Sequence, residues 1–317
     1  MESTRSRREP APQARSASPQ RWLGYGLVLL AGTFWACLGL FFRALESYNL
    51  PPTTIALNRA LVAGLTLLAV GLVRRPDILR VRPRDLAYFG LYGLVVALFF
   101  FVYIEAVNQG SVALASVLLY TGPVWVVLYA RLRWAEPLGG AKLVALGLAV
   151  LGSALVALGS GSASAGGGWA IALGLLSGLL YGIYSLLSNE GLRRGYAPST
   201  IVLYVMLGGA LFLLPLQDWA AVGHALGTPG AWPILLAVAW VSSLLAPVCY
   251  AAGQARIGAS TASILATVEP VVAAMLAWLL LGERLSALQL AGGGLVLGAV
   301  LTLASRGRPT GSAERAE

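Results

Sequence analysis

The chain has 317 residues, 58% of them hydrophobic and 11% charged, a balance too apolar to dress a soluble globule. Its net charge of +9 does not point to nucleic acid, because the basic residues lie between apolar segments instead of gathering on one face or tail. With roughly 20 apolar residues needed to cross a ~30 Å hydrocarbon core, the composition has room for about ten spans.

The first 21 residues contain Arg5, Arg7, Arg8, Arg15 and Arg21 but no apolar stretch, so a basic cytoplasmic tail is expected and not a signal peptide. Ser6-Arg7-Arg8-Glu9-Pro10 lacks the apolar run that follows a twin-arginine pair. Long apolar runs then predict helices near 22–43, 52–72, 86–107, 112–130 and 138–158. A Gly/Ser linker at 159–168 separates these from runs near 169–188, 199–216, 233–254, 260–281 and 286–304, and a short tail covers 306–317. The predicted fold is therefore all-α and membrane-integral, with ten spans. Cys37 and Cys249 sit in different runs without redox or metal-ligand spacing, so they read as core thiols.

Cytoplasmic loops retain arginine and lysine, and placing the N-terminus inside puts nineteen of the 22 basic residues on that side. Only Arg43 and Arg284 fall outside, with Arg59 inside a span. Both termini are thus expected in the cytoplasm, in a bacterial or archaeal inner membrane.

An offset of 147 residues lays the second half on the first without a gap, pairing Trp22 with Trp169, Pro51 with Pro198 and Tyr103 with Tyr250. It also pairs Ser116 with Ser263, Pro123 with Pro270, Glu136 with Glu283 and Gly147 with Gly294. Five spans is an odd number, so the copies, at 22–158 and 169–305, enter the membrane from opposite sides. Inverted repeats of this kind are typical of secondary transporters, whose sites lie near the midplane between the halves. Duplication that only builds a stable bundle is the structural alternative.

Ser116-Val-Leu-Leu-Tyr-Thr-Gly-Pro123, its counterpart Ser263-Ile-Leu-Ala-Thr-Val-Glu-Pro270 and the following Leu281-Gly282-Glu283-Arg284-Leu285 resemble the EamA domains of the drug/metabolite transporter superfamily. The resemblance runs from Trp22 to Ser305; in the first copy Ala135-Glu136-Pro137 replaces the Gly-Glu-Arg turn. It implies a ten-helix carrier with a central cavity, commonly an exporter of amino acids or other small metabolites.

Ionisable groups inside a span are costly and therefore candidates for function: Arg59, Glu105 and Glu269. Glu269, near midplane, is a candidate proton carrier and, ionised, attracts an amine; a hydrogen-bonded structural carboxylate is the alternative. Arg59 and Glu105 approach the same surface, and an ion pair or an interfacial anchor fits them better than substrate binding. Ser116, Tyr120 and Pro123 share one helical face and Ser263, Thr267 and Pro270 its equivalent, with the prolines as helix kinks beside a cavity or in close packing. Trp35, Tyr103, Tyr181, Tyr184 and Tyr250 lie in spans that the resemblance implies surround the cavity, where a buried tyrosine hydroxyl finds a polar partner; interface belts and ordinary packing are the alternatives. Gly174, Gly178 and Gly182 read as a close helix contact.

His224 stands alone in an outside loop, and neither metal ligands, a nucleophile elbow nor a phosphate loop is present. No catalytic residue, metal or cofactor is expected. The expected partners are a small-molecule substrate and the lipid bilayer, with the oligomeric state, a homodimer included, left open. The leading reading is an alternating-access exporter of small organic metabolites, amino acids foremost. A translocator of lipid or sugar conjugates is the rival transporter; an intramembrane enzyme lacks a nucleophile and base, and a sensor lacks a soluble output domain.

Overall fold

The computed structural model describes residues 19–159 and 167–305; most of the N-terminal tail, all of the C-terminal tail and most of the Gly/Ser linker lie outside them. Every regular element among the described residues is helical. The first repeat contains α1 (Pro19–Leu45), α2 (Pro52–Val73), α3 (Leu86–Gln109), α4 (Val112–Leu119), α5 (Gly122–Trp134) and α6 (Gly140–Leu158). The second contains α7 (Gly168–Arg193), α8 (Pro198–Leu213), a short α9 (Trp219–Leu226), α10 (Trp232–Ala237), α11 (Ala246–Ile257), α12 (Ala259–Ala266), α13 (Glu269–Leu281) and α14 (Ala287–Ser305). Taken as continuous spans these give ten segments, among the described residues, long and apolar enough to cross a membrane, each overlapping one of the predicted runs.

The repeat is visible in the element bounds, since α12, α13 and α14 begin and end 147 residues after α4, α5 and α6. In each copy one span is broken into two half-helices, at Tyr120-Thr121 and at Thr267-Val268. Pro123 and Pro270 do not kink a continuous helix as expected; each sits at the second residue of the helix after the break. A proline in a first helical turn removes no hydrogen bond that the helix would make. Thr121 donates its hydroxyl to the Leu118 carbonyl at 2.6 Å, and Thr267 donates to that of Ile264 at 2.7 Å. The breaks therefore carry their own polar closure, as a hydrocarbon environment requires.

Packing crosses between the repeats: α1 lies against α11, α12 and α13, α7 against α3, α4 and α5, and α6 against α14. Small residues allow this. A Cβ at Gly178 would stand 2.5 Å from the Leu118 carbonyl oxygen, and one at Gly174 would meet the Leu118 side chain at the same distance. Gly182 faces Trp125 and Gly122, so the three glycines form the close contact that their spacing predicts. On α3, a Cβ at Gly93 would come within 2.7 Å of the Gly208 backbone.

The end of the bundle bearing the first and last described residues is tied by a polar network. The buried Asp85 carboxylate accepts from Arg82 Nε at 2.9 Å, Arg194 Nη1 at 2.7 Å and the Tyr196 hydroxyl at 2.6 Å. Arg82 also donates to the Arg194 carbonyl at 2.7 Å, so the loop before α3 is fastened to the end of α7.

The turn that departs from the family pattern has a conformational signature. Gly282 ends α13 with φ 69°, and its counterpart Ala135 ends α5 with φ 51°. A left-handed conformation costs a residue with a Cβ roughly 1–2 kcal/mol, partly offset by the greater chain entropy glycine loses on folding. Ala135→Gly is therefore expected to stabilise the protein by about 0.5–1 kcal/mol, and Gly282→Ala to destabilise it by a similar amount. Thermal unfolding in detergent checks both, as opposite shifts in Tm.

Candidate functional site

A cavity of about 650 Å³ lies between the repeats, within the range of pockets that hold small organic ligands. Its walls come from the halves of α1, α2, α3, α4 and α13 that approach the end opposite the termini, and its mouth includes Arg43, Glu46 and Glu283 from that end. All three mouth residues are exposed, and Arg43 and Glu283 form an ion pair there.

Glu269 reaches the cavity because the break before α13 makes it the first residue of a helix. The N-terminal end of a helix dipole favours a carboxylate, and the Tyr120 hydroxyl is a hydrogen-bond partner of Glu269. The first copy has Gly122 at the corresponding position; a Cβ there would stand 2.6 Å from the Tyr181 ring. Packing thus excludes a side chain from one break while the other presents an acid.

Arg59 faces the same cavity from α2. Its Nε donates to Ser243 Oγ at 2.7 Å, and its guanidinium carbon lies 4.7 Å from the centre of the Phe100 ring. The expected ion pair with Glu105 is not formed: Glu105 accepts instead from Gln109 Nε2 of its own helix at 2.7 Å. One helical turn separates Glu105 from Gln109, so the bond is satisfied locally without drawing the acid inward. Among the described residues Arg59 has no carboxylate within salt-bridge range, and Arg59 and Glu269 act on each other electrostatically.

Aromatic rings line the cavity's deep end. Tyr181 and Tyr184 stack with centroids 6.3 Å apart, while Trp35 meets Tyr181 at 6.5 Å edge-on. Tyr103 lines a wall, its hydroxyl 3.3 Å from Ser116 Oγ. Of the residues singled out from the sequence, Trp35, Arg59, Tyr103, Ser116, Tyr120, Tyr181, Tyr184, Glu269 and Pro270 line this space.

Tyr250, Ser263, Thr267 and Pro123 do not line it. Tyr250 is fully buried beneath the floor, 5.3 Å from Trp35, with its hydroxyl 2.6 Å from Ser185 Oγ. Ser263 and Thr267 are buried and donate to carbonyls of their own helical turns. The symmetry that suggested both faces holds in sequence, but α12 packs on α5 at the terminus end while α4 and α13 form cavity walls at the other.

Sequence reasoning missed Ser243 and Phe100, which fix the arginine. Ser243 lies in a π-helical segment, Val238–Leu245, joining α10 to α11. Pro247 lacks an N–H and crowds the preceding turn, and the widened turn turns Ser243 toward Arg59. A Ser-Ser pair in an apolar run just before a proline was the available signal.

The EamA-like transporter family matches residues 22–158 and 168–305. The chain belongs to that family. It is a transporter of the drug/metabolite type and a multi-pass membrane protein. Among its relatives, the probable terminal-alkyne amino-acid exporter of Streptantibioticus cattleyicolor is 29% identical over 292 residues, 89% of this chain and 93% of the relative. The threonine/homoserine exporter RhtA of Escherichia coli is 29% identical over 212 residues, 66% and 67% of the two chains. A crystal structure with 19% identity shares the fold, with a TM-score of 0.73 over 92% of this chain and 99% of the other.

In this EamA transporter Ser243 positions Arg59 through a single side-chain bond. Ser243→Ala is expected to destabilise the protein by about 1.5–3 kcal/mol, the loss for one hydrogen bond to a charged group, while Ser243→Thr restores it. Arg59→Lys, which offers neither an Nε–H nor a planar face to Phe100, is expected to be at least as destabilised. Thermal unfolding in detergent checks this.

Proposed function

We propose that the chain exports amino acids, or closely similar zwitterionic metabolites, from the cytoplasm by alternating access. The observation that carries this reading is the presence of opposite charges, Arg59 and Glu269, on one cavity of metabolite size. A guanidinium offers parallel donors to an α-carboxylate, and an ionised Glu269 attracts the α-ammonium. The aromatic deep end offers stacking and apolar contact to a side chain. The names of the two exporters among the relatives support the same class.

The arginine distribution supports cytoplasmic termini, and in this reading the cavity faces outward. Glu269 is the coupling group in this reading: a proton and the substrate amine compete for one carboxylate, and a carrier that returns with one after releasing the other exchanges them. Closure of the outer mouth and opening of the terminus end completes the cycle.

The test is uptake of labelled amino acids into proteoliposomes, with and without a pH gradient, by wild type, Glu269→Gln and Arg59→Ala. Saturable uptake accelerated by the gradient is expected from wild type. Glu269→Gln is expected to lose the acceleration, and Arg59→Ala to lose saturation in the working concentration range. Folded wild-type protein that moves no amino acid overturns the substrate class; gradient-driven uptake that survives in Glu269→Gln overturns the coupling role.

A further inference from the structure

The repeat offset sorts the structure into paired positions, and several pairs have members in opposite circumstances. Tyr103 and Ser116 bond to each other on a cavity wall. Their counterparts Tyr250 and Ser263 are buried and apart in bonding, Tyr250 to Ser185 and Ser263 to Ser260. The counterpart of Ser185 is Leu38 and that of Gln254 is Val107, and both counterparts line the cavity. All eight residues of α12 are buried, against three of eight in its counterpart α4. The same local sequence pattern is therefore closed at the terminus end and open at the other.

The closed end also holds polar atoms in poor circumstances. Gln254 is 1% exposed; its Nε2 donates to the Ser185 carbonyl and hydroxyl, at 3.0 and 3.2 Å, but its Oε1 has no partner. Ser260 Oγ, fully buried on α12, has none either. A buried polar atom without a partner destabilises the arrangement that holds it, and both belong to the surfaces that separate if this end opens. Among the described residues, side-chain hydrogen bonds join α7 to α11 through Ser185, Tyr250 and Gln254.

We propose that Tyr250, Ser263 and Thr267 form the pathway lining of the opposite conformation, held shut here by a latch of Ser185 on Tyr250 and Gln254. On opening, the Tyr250 hydroxyl exchanges Ser185 for Ser263, matching the Tyr103–Ser116 bond, and Gln254 Oε1 and Ser260 Oγ gain water. At the other end Leu38 closes on Tyr103 and Val107, an apolar seal in place of a polar latch. The inference rests on the alternating-access reading but not on any choice of substrate.

The experiment is side-specific labelling of single cysteines by a membrane-impermeant maleimide, in full-length protein with Cys37 and Cys249 replaced by alanine. Ser263→Cys is expected to label only from the face carrying the termini, and Ser116→Cys from the opposite face. Adding Ser185→Ala removes the bonds of its hydroxyl to both Tyr250 and Gln254 and is expected to raise the Ser263→Cys rate at least fivefold, about fivefold being the shift for each buried hydrogen bond lost from the closed form, and to lower the rate at Ser116→Cys. Thr267→Cys serves as the second reporter if Ser263→Cys does not fold. Labelling of the reporter from the same face as Ser116→Cys, or none in native membranes despite full labelling after denaturation, overturns the proposal. Uptake measured on the same variants separates the two readings: transport with a silent reporter discards this lining and keeps the carrier, whereas a labelled reporter without amino-acid uptake keeps the lining and discards that substrate class.

Discussion

A helix broken inside hydrocarbon exposes backbone groups that lipid cannot satisfy, and the two such breaks organise this molecule. Each is closed by a threonine hydroxyl and followed by a proline where the missing donor is harmless. Each also has a small-residue partner from the other repeat: a Cβ at Gly178 on α7 would crowd the first break, and one at Gly32 on α1 would meet Val268 at the second. These contacts hold the repeats together at the depth where the cavity lies. The second break also delivers Glu269 to the cavity at a helix N-terminus, where a carboxylate is favoured.

Against that shared frame, the site is built from what the copies do not share. Glu269 has Gly122 as its counterpart, and Arg59 has Met206. Both charges thus arise where the repeat is degenerate, and both face one cavity. Arg59 is tolerable there because Ser243 and Phe100 occupy one edge and one face of the guanidinium, leaving its other donors for a ligand. The duplication supplies a two-ended scaffold, and the departures from it supply the two charges on the cavity wall.

The spans, their number and the family were legible because apolar runs, a fixed offset and an unusual proline motif are all local or periodic signals. Nine of the singled-out residues line the cavity: Ser116, Tyr120 and Pro270 are marked by helical spacing, Arg59 and Glu269 by the cost of charge within a span, and Trp35, Tyr103, Tyr181 and Tyr184 by aromatic side chains in spans that the family resemblance puts around a cavity. Tyr250, Ser263 and Thr267 lie outside this cavity for a different reason: periodicity and repeat pairing report the face a residue occupies but not which end of an inverted pair is shut. The Arg59–Glu105 pairing failed because depth in the membrane does not fix direction around a helix, and Gln109 lay one turn away. Ser243 escaped notice because its direction depends on a π-helical turn, which breaks the 3.6-residue period used to find faces.

The central claim is that the contacts at one end of the molecule open as their repeat counterparts at the other end close. Spin labels placed in pairs across each end, on the loop after α5 with the end of α7, and on the end of α1 with the loop after α13, measure this directly by pulsed electron resonance with and without threonine and a pH gradient. The expected result is reciprocal: a condition that shortens distances across the mouth lengthens those across the terminus end. Distances that change at one end alone, or lengthen at both ends together, would contradict it.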